Sequence, residues 1–105
     1  MSDALFRLEA TIAARRNADP ASSYVAKLNA KGLGKIAQKL GEEATETIIA
    51  ALSEGREELV GESADLLFHL LVLLGSKGIP LAAVLAELDR REGVSGIAEK
   101  ASRNV

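Results

Sequence analysis

Five stretches of the chain carry apolar residues at helical spacing, with Gly, Pro, Ser or Asn in the breaks between them. Leu5, Leu8 and Ile12 recur along the first, which Ser2 or Asp3 can cap and which Asn17-Ala18-Asp19-Pro20 ends. Ser22 or Ser23 can cap a short second helix through Tyr24, Val25 and Leu28, with Gly32 placed as its left-handed stop. A third, from about Leu33 to Leu52, presents the broad apolar arc Leu33, Ile36, Ala37, Leu40, Ala44, Ile48 and Ala51, and this arc predicts its buried side. Ser53-Glu54-Gly55 then stops the chain and restarts it. The fourth, about Arg56 to Lys77, contains the run 66–74, apolar at every position except His69. A helix apolar all round must be covered on all sides, and in so small a domain a second copy of the chain is the simplest cover. Pro80, at the first-turn position where its missing N–H costs nothing, opens a fifth helix carrying Leu81, Val84, Leu85 and Leu88 and ending at Glu92-Gly93. The tail from Ser95, anchored by Ile97, reads as a short helix or an ordered arm. The pattern predicts an all-α fold: a helical bundle of about five helices with a central antiparallel hairpin, completed by dimerisation, as a single domain over residues 1–105.

Two acidic pairs interrupt the pattern on the central hairpin. In Glu43-x-x-Glu46 and Glu62-x-x-Asp65 the carboxylates are three residues apart, so each pair shares one helix face. A turn centred on residue 54 sets Glu46 opposite Glu62 and Glu43 opposite Asp65. Four carboxylates at one height repel one another unless a cation sits among them, and an all-oxygen ligand set suits a hard divalent ion such as Mg2+. At about 100° per residue, Glu43 falls on the edge of the apolar arc and Glu46 a little beyond it, which points to a half-buried cleft. The competing reading is a solvated acidic face paired with Lys35 and Lys39. A di-iron bundle site is excluded, since the residue three before His69 is Leu66 and not Glu.

Magnesium held by carboxylates keeps positions open for phosphate oxygens, so the chemistry that follows is hydrolysis of a phosphoanhydride, with Glu42 or Glu46 as the catalytic group orienting the attacking water. Lys27, Lys31, Lys35 and Lys39 recur every fourth residue, but Gly32 divides them between two helices. They read either as ordinary solvated lysines or as groups of which one or two reach the polyphosphate, and the same alternatives hold for Arg90-Arg91 and for Lys100 with Arg103. His69, one turn beyond Asp65 on the same side, reads as a hydrogen-bonded core residue.

Composition narrows the surroundings. Only Phe6, Tyr24 and Phe68 are aromatic, so the core must come from Leu, Ala, Ile and Val, which favours helices. The net charge of −2 argues against a nucleic-acid binder. The absence of cysteine excludes disulfides and thiolate metal sites. The first residues lack a secretory pattern, and the apolar run of the fourth helix is short of the about 20 residues that a membrane span needs. A cytoplasmic protein with no membrane partner is expected.

The acidic signature resembles that of the all-α nucleotide pyrophosphatases. The segments 23–28 (Ser-Tyr-Val-Ala-Lys-Leu), 35–46, 64–74 and 99–103 (Glu-Lys-Ala-Ser-Arg) are similar, more narrowly, to the phosphoribosyl-ATP pyrophosphatase family, over nearly the whole chain. The resemblance implies conversion of phosphoribosyl-ATP and water to phosphoribosyl-AMP and pyrophosphate, the second step of histidine biosynthesis, by a magnesium-dependent helical homodimer. It implies Glu43, Glu46, Glu62 and Asp65 as metal ligands, and gives Lys27, Lys39, Lys100 and Arg103 a role in binding substrate phosphates. Two other readings share these features: a house-cleaning pyrophosphatase acting on (deoxy)nucleoside triphosphates, and a helical dimerisation module without catalysis.

Overall fold

The computed structural model describes residues 3–93 together with Gly96 and Lys100. Among the described residues there are five helices and no strand: α1 (Ala4–Arg15), α2 (Tyr24–Lys31), α3 (Leu33–Ser53), α4 (Arg56–Ser76) and α5 (Leu81–Arg91). The predicted order and the all-α class hold, and the helix limits fall within a residue or two of those read from the pattern. The tail reading lies outside the described residues, apart from Gly96 and Lys100.

Local chemistry explains the boundaries. Ser23 caps α2, its hydroxyl oxygen accepting from the Ala26 N–H at 3.1 Å. Asp3 occupies the corresponding position of α1 but turns its carboxylate to Arg7 and caps no backbone N–H. Gly32 has the expected positive φ of 95°, yet its ψ of 173° is extended, not left-handed helical. That region is open essentially to glycine alone. It lets Gly32 close α2 through Leu28 O and Asn29 O while its own carbonyl accepts from Ile36 N as the first bond of α3, at 3.2 Å.

Between α3 and α4 only Glu54 and Gly55 lie outside a helix. The Glu58 carboxylate accepts from the Gly55 N–H at 3.1 Å, and Glu57 and Glu58 place negative charge in the first turn of α4, where the helix dipole favours it. Pro80 sits one position earlier than expected, as the residue before α5. The first N–H of that helix, from Leu81, is taken at 2.7 Å by the Glu9 carboxylate of α1, which ties the two ends of the described chain together.

Ile12, Val25, Leu28, Ile36, Leu71, Val72 and Leu81 form the core, so α1, α2 and α5 close around the C-terminal half of α4 and the start of α3. The most extensive helix pair is α3 with α4, where the small side chain of Ala50 is fully buried. The expectation that α4 is covered on all sides is not met within one chain. His69, Leu71 and Val72 are buried, but Val60 and Leu67 remain exposed, as do Ile48, Ile49 and Leu52 on α3. The reason is geometric: α1 and α2 reach only one side of the hairpin. The Cα radius of gyration, 15.8 Å, exceeds the roughly 13 Å of a compact chain of about this length.

By length and composition α4 passes as a helix able to cross a membrane, longer than its apolar run alone implied. Its N-terminal half nevertheless carries Glu57, Glu58, Glu62 and Asp65. Carboxylates in hydrocarbon are expensive.

Candidate active site

The two-residue connection Glu54-Gly55 sets the register of the hairpin and so decides which acids meet. With α3 ending at Ser53 and α4 starting at Arg56, the pairing is offset by one residue from a turn centred on 54, and Thr47 comes opposite Glu62. The Thr47 hydroxyl lies 2.8 Å from the Glu43 carbonyl one turn back and 3.2 Å from the Glu62 carbonyl across the interface. This bridge holds the two acid-bearing turns side by side. Carboxylate oxygens of Glu43, Glu62 and Asp65 there lie within 4.8 Å of one another.

The electrostatics of this group are unfavourable as they stand. Glu43 is only 8% exposed, and its Oε2 is buried without a hydrogen-bond partner. Burial pushes its pKa up to about 7, reinforced by the neighbouring carboxyl groups of Glu46 and Asp65 and opposed weakly by the charge of Lys39. The carboxyl of Glu62 is also raised, first by desolvation and then by Glu46 and Asp65. An uncompensated buried carboxylate oxygen costs more than most single interactions return. A divalent cation among these oxygens satisfies the orphaned atom and cancels the repulsion, and the donor set contains only carboxylate oxygens, as a hard ion requires. The residues present therefore fit such an ion.

Of the candidate site residues singled out from the sequence, all but Arg103 fall among the described ones. Glu46 is exposed, with its carboxyl close to those of Glu43 and Glu62. Glu42, also exposed, is turned toward its own helix: Oε2 accepts from Gln38 Nε2 at 2.8 Å and Oε1 from Lys39 Nζ at 3.0 Å. Those two bonds hold its carboxyl below the usual range. Lys39 thus stands at the rim of the acidic group, anchored by Glu42, with its pKa raised by that bond. Lys27 is exposed on α2 and Lys100 is helical and exposed, while Arg103 lies outside the described residues. Arg90 and Arg91 on α5 both bond the Glu87 carboxylate, which they hold down to about 2.

One partner of the site had no signal in the sequence. His69 is buried, as expected for a core histidine, and its Nδ1 lies 2.7 Å from the Asp65 carbonyl. Its Nε2 meets the hydroxyl of Tyr24, from α2, at 2.8 Å. Periodicity along one helix can place His69 beside Asp65, but nothing local to Tyr24 reports a contact made across 45 residues.

Comparison with known proteins points to one family. The family model described as phosphoribosyl-ATP pyrophosphohydrolase matches residues 5–92. A relative from Novosphingobium aromaticivorans, named phosphoribosyl-ATP pyrophosphatase, is 74% identical over 100 residues, covering 95% of this chain and 94% of its own. Relatives of the same name from Erythrobacter litoralis and Rhodobacter capsulatus are 75% identical over 99 residues and 60% identical over 100, each covering at least 94% of both chains.

Proposed function

The chain belongs to the phosphoribosyl-ATP pyrophosphohydrolase family, and from that premise we propose that it hydrolyses phosphoribosyl-ATP to phosphoribosyl-AMP and pyrophosphate, a step of histidine biosynthesis, with Mg2+ held by Glu43, Glu46, Glu62 and Asp65. The observation that carries the metal reading is the convergence of three carboxylates around the buried, unpartnered oxygen of Glu43. Magnesium, when bound, supplies positive charge against the polyphosphate oxygens and acidity to a water.

The chain's own residues do the rest. Glu43 and Asp65 approach from opposite helices and fix the depth at which the polyphosphate sits. Of the two glutamates proposed to orient the attacking water, Glu46 has its carboxyl beside Glu43 and Glu62, whereas Glu42 is engaged with Gln38 and Lys39. The reaction breaks the anhydride bond between the phosphate that stays with the nucleoside and the one that leaves. The water oxygen makes the new bond to phosphorus, and its proton passes to the carboxylate that orients it. Lys39, at the rim, is placed to meet the charge of the departing pyrophosphate; Lys27, Lys100 and Arg103 are proposed contacts for the other phosphates.

The exposed apolar faces of α3 and α4 support a homodimer as the working form, since a second copy covers what α1 and α2 leave open. A biosynthetic step on a highly charged nucleotide supports a cytoplasmic location. Purified protein incubated with phosphoribosyl-ATP and Mg2+, followed for pyrophosphate, tests substrate and reaction together. A panel of deoxynucleoside triphosphates run in parallel separates this reading from a house-cleaning activity: preferential turnover of the panel overturns it.

A further inference from the structure

Tyr24 is 45% exposed and stands on α2, a helix that supplies none of the acids; His69 is 4% exposed and sits one turn after Asp65. The two are joined through the 2.8 Å contact between the Tyr24 hydroxyl and His69 Nε2. On the other side of the imidazole, Nδ1 faces the Asp65 carbonyl at 2.7 Å. A carbonyl can only accept, so Nδ1 carries the proton, Nε2 is the lone-pair nitrogen, and the Tyr24 O–H donates to it. Burial raises the phenol above its ordinary value, opposed by the charge of Lys39 and reinforced by Glu43, Glu42 and Asp65, so the donor proton is retained through the neutral range.

The surroundings hold this chain of bonds in one geometry. Phe68 stacks on Tyr24 with ring centroids 6.0 Å apart and planes 25° apart, and meets His69 edge-on at 5.1 Å and 84°. The Tyr24 and His69 rings are themselves edge-on at 5.7 Å. Two of the three aromatic residues in the protein are spent on this contact, which fixes the rotamers of both hydrogen-bonding rings.

The Asp65 carbonyl lies in the α-helical ladder, where the backbone N–H of residue 69 is its usual donor. A second donor, from the side chain of that same residue, anchors the peptide that follows Asp65 and so restrains the turn from which the Asp65 side chain projects.

We infer that Tyr24 and His69 form a positioning pair that presents Asp65 to the cation site, with α2 acting as a brace for the acid-bearing turn of α4. The inference rests on the metal reading given above. It makes both residues positioning groups: neither touches the reacting atoms.

Mn2+ serves as the probe, with its free concentration followed by electron paramagnetic resonance and Mg2+ as competitor. Tyr24→Phe keeps the ring stack and removes only the hydroxyl. It is expected to weaken Mn2+ binding by about 10-fold, at the lower end of what an outer partner of a metal ligand contributes. The Mg2+ concentration for half-maximal pyrophosphate release should rise by the same factor, with kcat at saturating Mg2+ within about twofold of wild type. His69→Asn retains an N–H donor within reach of the Asp65 carbonyl and should bind Mn2+ more tightly than His69→Leu, a rescue that a packing role does not produce. Tyr24→Phe binding Mn2+ within about twofold of wild type, whatever its melting temperature, overturns this inference alone. Failure of the wild-type protein to bind Mn2+ overturns the metal reading and this inference with it.

Discussion

The Thr47 hydroxyl on α3 lies 3.2 Å from the Glu62 carbonyl on α4, at the height where the carboxylates converge. With its bond to the Glu43 carbonyl it links the turns that carry two of the acids. Thr47→Val keeps the branched shape and removes the bridge. The expected cost is about 1 kcal/mol in urea unfolding, together with a few-fold loss in Mg2+ affinity. Thr47→Ser should stay near wild type in both, and a Thr47→Val variant with unchanged metal affinity shows that the bridge does not set the spacing of the acids.

Glu43 is held at a cost to stability, and that makes its role separable from folding. Glu43→Gln removes the buried charge while keeping the shape. In the absence of divalent cations at pH 8 the variant should melt at a higher temperature than wild type, because a carboxylate that is both desolvated and repelled has gone. Its Mg2+-dependent pyrophosphate release should fall by about 100-fold or more. Equal activity in the variant removes Glu43 from the ligand set.

The raised pKa of Glu43 also predicts how stability follows pH. The carboxyl titrates near 7 in the folded, metal-free protein and near its ordinary value of 4.5 in the unfolded chain. Between those values the folded state keeps a proton that the unfolded state has released, so stability declines as pH rises. The contribution is fully present below about 4.5 and lost once pH has passed about 7, with a total on the order of 3 kcal/mol. Thermal melts in a chelator from pH 4.5 to 8 measure it. Added Mg2+ should flatten the high-pH fall, and Glu43→Gln should reduce it, leaving the smaller part that the raised carboxyl of Glu62 contributes; a metal-free protein that becomes more stable across this range contradicts the assignment.

The parts of this site that were legible in the sequence are those written in one helix or in one short turn. Glu43 and Glu46 share a face because helical period puts them there, and the brevity of Ser53-Glu54-Gly55 forces Glu62 and Asp65 to meet them. The observed register differs from the expected one by a single residue because Ser53 stays in α3, leaving two residues between the helices and not the three of Ser53-Glu54-Gly55. Contacts between distant elements left no such trace. Tyr24 with His69, and Glu9 with the first N–H of α5, depend on how α1 and α2 settle against the hairpin. The direction taken by the Glu42 side chain was also invisible, since Lys39 and Gln38 compete with the cluster for it.

That competition separates the two proposed water-orienting residues. Glu46→Gln removes a carboxyl that neighbours both Glu43 and Glu62, and kcat is expected to fall by about 100-fold with KM little changed. Glu42→Gln releases Lys39 from its 3.0 Å ion pair and should act more on KM, through the position of that lysine. Initial rates at saturating Mg2+ over a range of substrate concentrations distinguish them. A larger kcat effect at Glu42 than at Glu46 reverses the order.

The outer faces of the hairpin give the last test. Ile48, Ile49 and Leu52 on α3 and Val60 and Leu67 on α4 are all exposed, and Leu52, at 83%, has almost no cover from its own chain. Scattered apolar residues on a surface need no explanation, but five on the two helices of one hairpin form a patch of the kind that marks an interface. Fully burying one Leu side chain contributes about 1.5–3 kcal/mol, and in a two-fold dimer each substitution acts twice. The wild-type protein should therefore run in light scattering at twice the chain mass of 11.0 kDa. Leu52→Glu should shift it toward the single-chain mass at low micromolar concentration, and lower its melting temperature, because the apolar side of α4 then loses its cover. Wild-type protein of single-chain mass at tens of micromolar rules the dimer out, and leaves the exposed row on α3 and α4 to a different partner.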